Sequence, residues 1–233
     1  MNKLRFWRIL MLPVLAISCK KNSSTPTPVV VPSYLSITNG NVWNYELTNN
    51  PSTTPVTSSY SLTSSATDTT INSRLYHIFN RSASGTKEYY YVNGNEYYEY
   101  LSIPLLGNVH FENIFLKSDA AAGAVWSQTI PPIIYSGVTA NLIKNDTIKE
   151  KGLTKVVKGI TYTDVVHVTS GLKILSVSPP LIPTTALTAV IDNYYAPKVG
   201  RIYSSNNIQL VVPPPVSISQ GLENKTELVS TNF

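Results

Sequence analysis

Residues 86–101 have the sequence TKEYYYVNGNEYYEYL, which predicts an antiparallel β-hairpin. Two tyrosine-rich segments flank Asn93-Gly94, a pair that readily supplies the positive φ angles of a tight turn. A two-residue loop would place Glu88 opposite Glu99, which is repulsive. A three-residue loop that begins one residue earlier places Lys87 opposite Glu99 instead, and cross-strand pairs differ by about 0.2–1 kcal/mol. We therefore favour the three-residue loop. Either register puts tyrosines on both faces of the hairpin.

Short extended segments of this kind recur along the chain, and no sustained 3.6-residue periodicity accompanies them. Proline clusters between the segments favour turns, and Lys158-Gly159 predicts a second tight hairpin. We expect a single antiparallel all-β domain over residues 34–233, either a strongly curved sheet forming a half-open barrel or a two-sheet sandwich. The predicted strands are residues 41–48, 56–67, 74–80, 86–92, 96–103, 110–117, 125–130, 138–149, 153–157, 161–169, 185–195, 201–204, 208–212 and 222–230.

The N-terminus has the layout of an export signal. Lys3, Arg5 and Arg8 precede an apolar run over residues 9–17. Nine residues of helix reach only about 13 Å, too short to cross a hydrocarbon core of about 30 Å. Ser18-Cys19 follows, and the whole resembles the lipobox of bacterial lipoproteins. That resemblance implies a signal peptide over residues 1–18 and a mature protein whose N-terminal cysteine carries palmitate and other acyl chains.

Residues 19–33 would then form the lipidated cysteine and a flexible tether, since the segment is polar and rich in proline. Cys19 is the single cysteine, so the mature domain has neither disulfides nor thiolate metal sites. Three units of the formal charge of +5 belong to the predicted signal peptide, so the mature protein would carry a net charge of +2. No basic stripe of the kind that nucleic-acid binders carry is present, and we predict no nucleic-acid partner.

No catalytic motif emerges from the sequence. Nucleophile elbows, phosphate loops, calcium loops and zinc spacings are absent, so we predict no metal, no cofactor and no catalytic residue. The three histidines, His77, His110 and His167, are expected to be hydrogen-bonded on strand surfaces. Asp164 cannot orient His167, because the two side chains leave opposite faces of one strand.

The tyrosine-rich hairpin is the candidate ligand site. Glu88, Glu96 and Glu99 lie among its tyrosines, which is compatible with a glycosidase or with sugar stacking. A plain amphipathic sheet element, apolar but with wet hydroxyls, explains the same pattern more simply. The aromatic residues that could line a ligand groove are Tyr89, Tyr91, Tyr97, Tyr98 and Tyr100.

Three stretches support a family resemblance. They are GNVWNY at residues 40–45, GITYTDVVHV at 159–168 and YYAPKVGRI at 194–202. In order and spacing they resemble an uncharacterised family of β-rich envelope lipoproteins of Bacteroidetes-type bacteria, and the resemblance covers roughly residues 34–212. It implies architecture and compartment, with no established activity. The motif tyrosines and tryptophan suit aromatic core packing, and Gly159 and Gly200 suit tight backbone positions.

Resemblance to known sorting rules implies the location. Lys20 replaces the aspartate that retains lipoproteins at the inner membrane, which favours the outer membrane. The lack of acidic residues after Cys19 favours the periplasmic face. Asp68-Thr69-Thr70 and Asp146-Thr147-Ile148 match an O-glycosylation pattern of this bacterial group, which makes Thr69 and Thr147 candidate modification sites.

Three functional hypotheses follow. The leading one is a non-catalytic lipoprotein anchored in the outer membrane through Cys19, with a binding or structural role and an envelope protein or glycan as partner. The second is a carrier of an apolar ligand in a concave sheet cavity, which requires an apolar lining of roughly 300–1,000 Å³. The third is a hydrolase of cell-wall or glycan polymers, which requires converging polar groups in one cleft.

Overall fold

The computed structural model describes residues 33–103, 109–135, 138–180, 182–212, 214 and 218–233. The predicted signal peptide and Cys19, with nearly all of the tether, lie outside the described residues. Within the described part the chain forms strands only. They are β1 (Val42–Asn49), β2 (Val56–Ile71), β3 (Arg74–Arg81), β4 (Lys87–Asn93), β5 (Glu96–Ile103), β6 (Val109–Lys117), β7 (Val125–Tyr135), β8 (Val138–Val157), β9 (Ile160–Ser178), β10 (Leu187–Ala196), β11 (Gly200–Val212) and β12 (Ile218–Thr231).

These strands form one antiparallel sheet, which is nearly closed as a barrel. Each strand pairs with its neighbours in the chain, and β1 pairs with β12, so Trp43 lies opposite Thr231. The sheet order therefore starts at β6 and ends at β7. Among the described strands, β6 and β7 are the exception to pairing between chain neighbours, since no backbone ladder joins them. The all-β prediction is confirmed. Of the two architectures left open by the sequence, the curved, barrel-like sheet is the one observed.

Side chains close the gap between β6 and β7, which we call the seam. The Gln128 Oε1 atom accepts a hydrogen bond from the Ile114 amide at 2.9 Å, and its Nε2 donates to the Glu112 carbonyl at 3.2 Å. The Trp126 indole N–H donates to the Ile114 carbonyl at 3.0 Å. A sheet edge presents unpaired backbone groups. At the seam, β7 satisfies those groups of β6 with side chains instead of a ladder.

The predicted β4–β5 hairpin exists, but both registers considered from the sequence are wrong. Asn93 pairs with Glu96, and Tyr90 lies opposite Glu99. The loop is therefore Gly94-Asn95, in which only Gly94 has a positive φ, of 59°. A two-residue turn with glycine first needs just that one positive φ. This register also removes the glutamate pair whose repulsion had favoured the longer loop.

The second predicted hairpin is confirmed. Val157 pairs with Ile160, and the loop between them is Lys158-Gly159. Both loop residues have positive φ, of 48° and 81°. Two successive positive φ angles match the right-handed twist of the flanking strands, which explains why a lysine is tolerated there.

Some predicted breaks do not end strands. Residues 138–149 and 153–157 belong to one strand, β8, whose register shifts between Ile148 and Leu153 near Gly152. Residues 201–204 and 208–212 likewise belong to one strand, β11. Pro131-Pro132 lies inside β7, where the register shifts between Ile130 and Ile133. A terminal strand with a bulge is where a sheet accepts proline, because no ladder bond is lost there.

The interior of the barrel has two apolar clusters. The larger contains Trp43, Tyr45 and Tyr195, so the expected aromatic packing is confirmed for these residues. The Trp43 indole donates to the Val199 carbonyl at 2.7 Å, which satisfies its buried N–H. Gly200 has φ of 95°, and a Cβ there would lie 3.2 Å from the Tyr34 carbonyl oxygen, so this position requires glycine. The smaller cluster contains Phe111, Ile130, Ile133, Leu142 and Ile174.

Candidate functional site

A polar layer borders both apolar clusters and surrounds a cavity of about 200 Å³. Six strands contribute to its wall, from β5 and β6 on one side of the seam and from β8 to β11 on the other. Phe115 and Tyr195 of the larger cluster also reach the cavity, and Leu101 reaches it beside the smaller one. The polar and charged lining residues are Glu99, Asn113, Lys144, Ser170, Asn193, Arg201, Ser204 and Asn206.

Arg201 places a guanidinium at the cavity. The β10–β11 register shifts between Tyr194 and Tyr195, and Arg201 pairs with Tyr195 just past that irregularity. The backbone of Arg201 is fixed by the Tyr45 hydroxyl, which donates to its carbonyl at 2.8 Å. The Arg201 Nε atom is buried and has no hydrogen-bond partner among the described residues. Since a guanidinium remains protonated at ordinary pH, this side chain places a positive charge beside the cavity.

Glu99 and Asn113 form a second polar pair. The Asn113 amide Nδ2 donates to Glu99 Oε1 at 2.6 Å. Burial raises the pKa of Glu99, although the positive charge of Arg201 and the Asn113 hydrogen bond partly offset that effect. Asn113 is 2% exposed, and its Oδ1 has no partner in the described part of the chain. The pair therefore leaves one buried acceptor free.

Lys144 and Asp146 form a buried ion pair beside the cavity. The Lys144 ammonium and the Ser170 hydroxyl both donate to Asp146 Oδ1. Asp146 is 0% exposed, and desolvation raises its pKa despite the neighbouring ammonium. With Arg201 and Glu99, the layer holds two basic and two acidic groups, so its formal charge is zero.

The predicted tyrosine groove is divided between two faces of the sheet. Tyr97 is 3% exposed within the larger apolar cluster, where its hydroxyl accepts a hydrogen bond from the Tyr34 amide at 3.1 Å. The other four candidates, Tyr89, Tyr91, Tyr98 and Tyr100, lie on the outer face by strand alternation. Tyr97 therefore does not join them, and the five-residue groove predicted from the sequence is wrong in this respect.

The outer tyrosines pack as a layer with Arg74. The rings of Tyr91 and Tyr98 are 5.5 Å apart, and the Arg74 guanidinium lies 4.9 Å from the Tyr98 ring centre. Burial raises the pKa of Tyr98 to about 12, and the Glu96 carboxylate, which accepts a hydrogen bond from the Tyr98 hydroxyl, contributes to this shift. A cation over an aromatic face stabilises such a layer by about 0.5–1 kcal/mol at exposed sites.

The hairpin glutamates divide between the two faces of the sheet, with Glu96 on the outer face and both Glu88 and Glu99 on the inner one. Glu96 lies on the outer face, where it accepts a hydrogen bond from Lys117 at 2.6 Å. Glu99 borders the interior cavity. Glu88 is paired with Arg81 at 3.2 Å and accepts the Tyr90 hydroxyl. Retaining and inverting glycosidases need two carboxylates that flank one bond. Glu96 and Glu99, on opposite faces of β5, cannot flank one.

Two histidines are hydrogen-bonded, as predicted. The His167 Nε2 atom lies 2.7 Å from Asp192 Oδ1 on the neighbouring strand, so Asp192 orients this ring and Asp164 does not. His77 lies between Asp68 Oδ1 at 2.7 Å and Ser64 Oγ at 2.8 Å. An aspartate, a histidine and a serine linked in this order by hydrogen bonds form the catalytic triad of serine hydrolases. However, Ser64 is 1% exposed, so a substrate has no approach to its hydroxyl.

The candidate modification sites lie in strands. Thr69 in β2 and Thr147 in β8 are both partly exposed. Asp146, the acidic residue of the second pattern, points into the barrel while Thr147 points out. Recognition of that Asp-Thr pair in the folded domain would therefore involve the threonine side alone.

The polar layer is what sequence reasoning missed. Its signal is visible in β8, where Leu142, Lys144, Asp146 and Ile148 share one face. Two opposite charges in the middle of an otherwise apolar stripe indicate a paired interior position. Arg201 carries no comparable signal, because the register shift beside it alters the alternation of β10 and β11.

Within the described ranges, no group of three or more His, Cys, Asp or Glu side chains has the arrangement of a metal site. The same residues contain no helix with the length and apolarity needed to cross a membrane.

Comparison with known proteins gives only distant similarity. No protein family and no curated protein matches the chain. A candidate lipoprotein of Parabacteroides distasonis, solved at 2.70 Å, aligns with 14% identity and a TM-score of 0.40, over 86% of this chain and 99% of its own. A candidate exported protein of Bacteroides fragilis with a YmcC-like fold aligns with 8% identity and a TM-score of 0.43, over 87% of this chain and 100% of its own. At this distance the function has to be inferred from the residues of the chain itself.

Proposed function

We propose that this protein is a non-catalytic lipoprotein of the outer membrane that binds a small polar molecule inside its barrel. The observation that carries the proposal is the cavity of about 200 Å³, which borders buried polar atoms without partners. A buried donor or acceptor left unsatisfied costs about 1–3 kcal/mol. Arg201 and Asn113 both line the cavity, so a bound solute lies beside two residues whose Nε and Oδ1 atoms have unused hydrogen-bonding capacity.

The lining determines which kind of binding the barrel supports. A carrier of apolar molecules needs an apolar cavity with few polar groups. The wall here has eight polar or charged residues and four apolar ones. We therefore do not extend the apolar-carrier hypothesis to this cavity and propose a polar ligand instead.

The non-catalytic part of the proposal has two supports. The serine in the Ser64–His77–Asp68 chain is buried in the sheet, away from the cavity. Of the hairpin glutamates, Glu96 lies on the opposite face of β5 from Glu99, while Glu88 is held in an ion pair with Arg81 at 3.2 Å and accepts a hydrogen bond from the Tyr90 hydroxyl. Neither set provides the reachable, converging groups that hydrolysis requires.

The envelope part of the proposal rests on the N-terminal sequence. A basic head, a short apolar run and a small residue before Cys19 support lipidation. Each buried acyl carbon contributes ~0.8 kcal/mol, so two or more chains give stable anchoring. We propose attachment to the outer membrane with the barrel facing the periplasm. The outer tyrosine layer with Arg74 is then available to an envelope protein or glycan.

The anchor is tested by Cys19→Ser in the full chain. We expect loss of palmitate labelling, retention of the signal peptide and release from the outer-membrane fraction. Lys20→Asp is the matched control, since it keeps the cysteine: labelling should persist while the protein moves to the inner membrane. Unchanged labelling and fractionation of the serine variant would overturn the anchor.

Binding is tested by isothermal titration of the full-length protein, purified in a detergent without a sugar headgroup. The probes are hexoses and inositol, amino acids, and mono- and dicarboxylates. We expect at least one class to bind wild type and to bind Ser204→Val about tenfold more weakly, since the valine fills the cavity and removes a hydroxyl. Binding of no class at millimolar concentration would contradict the proposed function.

A further inference from the structure

We infer that the polar layer binds a neutral polyhydroxylated molecule of the size of one monosaccharide, held between Arg201 and the Glu99–Asn113 pair. This inference rests on the proposed binding function and specifies its ligand.

The charges of the layer select against ions. The charged residues that line the cavity are Arg201, Lys144 and Glu99, and Lys144 is paired with the fully buried Asp146 outside the lining. The four charges together sum to zero, so they leave no excess charge for an anion or a cation to neutralise. Lys144 donates to Asp146 Oδ1, while Asp146 Oδ2 has no partner among the described residues, and Glu99 is held by Asn113 at 2.6 Å. Transfer of an unpaired ion from water into such a site would be costly. A neutral ligand avoids this cost.

The free hydrogen-bonding atoms select for hydroxyl groups. Arg201 Nε requires an acceptor, and Asn113 Oδ1 requires a donor. A hydroxyl group is both a donor and an acceptor, and so are the side chains of Ser204, Ser170 and Asn193 that complete the wall. A molecule with several hydroxyls on one small frame matches this alternation, whereas a carboxylate supplies acceptors only.

Two aromatic rings belong to the apolar part of the wall, together with Leu101 and Ile191. Phe115 and Tyr195 both line the cavity, with ring centres 5.3 Å apart and planes inclined by 32°. The C–H face of a sugar ring is apolar and packs against such rings, while its hydroxyls point sideways to the polar groups. The combination of aromatic surface with paired donors and acceptors therefore favours a cyclic polyol.

The volume sets the size of the ligand. At about 200 Å³, the cavity is smaller than the range of about 300–1,000 Å³ that holds drug-sized ligands. That space accommodates one small sugar or a cyclitol. It does not accommodate an oligosaccharide, so recognition of a polymer inside the barrel would be limited to a single residue.

The test compares probe classes against two matched variants. Titrations of the full-length protein use D-glucose, D-galactose, D-mannose and myo-inositol, against glycine, acetate and succinate. Ser204→Val alters the cavity wall, and Ser205→Val is the control on the adjacent, outward-facing position of β11. Asn193→Val is a second cavity variant, and circular dichroism verifies that each variant is folded.

We expect at least one neutral polyol to bind, about tenfold more weakly to the two cavity variants, and within about twofold of wild type to Ser205→Val. Binding of glycine, acetate or succinate with no polyol would overturn the inference and leave the proposed binding function intact. Polyol binding that Ser204→Val and Asn193→Val do not weaken would place the ligand elsewhere and overturn the inference. Binding of no probe would overturn both.

Discussion

At the scale of single residues, charge in the interior determines how the protein responds to pH. Glu99 is buried beside the cavity, and desolvation raises its pKa above the ordinary value of 4.5. The folded protein therefore holds that proton more tightly than the unfolded chain does. Linkage then requires stability to fall as the pH rises from about 4.5 through the raised pKa.

The first prediction concerns Glu99→Gln. The difference in unfolding free energy between wild type and this variant should decrease with rising pH over that window, because the variant has no carboxyl to ionise. Denaturant titrations at a series of pH values measure it. Glu96→Gln is the control on the same strand. The hydrogen bond from Lys117 lowers the pKa of Glu96. The difference in unfolding free energy between wild type and Glu96→Gln should therefore decrease as the pH falls. Parallel profiles for both variants would contradict the assignment.

The second prediction concerns the buried ion pair. Asp146→Ala leaves the Lys144 ammonium buried without its partner, which should cost about 3–5 kcal/mol of unfolding free energy. Lys225→Ala is the control, since it breaks the partly exposed pair with Glu227, at 2.8 Å. Its cost should be at most about 1 kcal/mol. Equal losses in chemical denaturation would show that Asp146 is not desolvated in solution.

Single residues also show why the sequence predicts only part of the site. Tyr97 and Tyr98 are adjacent, chemically identical and both nearly fully buried, yet Tyr97 packs in the larger apolar cluster and Tyr98 lies on the opposite face of β5. A change of hairpin register by one residue exchanges those positions. The register depends on which residues form the loop. The sequence favoured a three-residue loop over residues 92–94, with Asn93-Gly94 as the alternative, and the structure has Gly94-Asn95.

At the scale of elements, strand existence and pairing were more predictable than strand ends. Tyrosine, threonine and valine in alternation predict strands, and the Lys158-Gly159 hairpin follows from local turn chemistry. The continuity of β8 through Gly152 could not be predicted from local turn chemistry, because the bulges there are stabilised by pairing with β9 along the whole strand. Such stabilisation comes from the neighbouring strand and has no local signature.

The third prediction concerns the seam. Gln128→Ala removes both hydrogen bonds from this side chain to β6, leaving the Ile114 N–H and the Glu112 carbonyl unpaired. We expect a loss of about 1–3 kcal/mol and faster amide exchange at Ile114. Gln209→Ala, at an exposed position of β11, is the control and should change stability by no more than about 0.5 kcal/mol. An unaffected Ile114 amide would contradict the role of Gln128.

At the scale of the whole molecule, one ladder differs from all the others. Neighbouring strands in the chain form every ladder except β1 with β12, where Trp43 meets Thr231. The entropic cost of loop closure grows with the length of chain between two paired segments. We therefore expect the β1–β12 ladder to form after the hairpins during folding.

The fourth prediction follows from that order. Leu228→Ala in β12 and Val165→Ala in β9 both truncate side chains that are 0% exposed. The first should mainly accelerate unfolding, and the second should also slow folding, since its hairpin forms early. Stopped-flow rates across a range of denaturant concentrations measure both. A slowed folding rate for Leu228→Ala with unchanged unfolding would show that the terminal strands pair first.

The seam determines where a solute can enter and leave the barrel. Asn113, on the cavity wall, stands between the two β6 residues that Gln128 binds. Parting the wall there breaks a few side-chain contacts, whereas entry between any other two strands in the sheet order breaks a backbone ladder. Solutes therefore exchange between the cavity and the surrounding medium at the lowest energetic cost beside Asn113, through a lateral opening of the barrel wall.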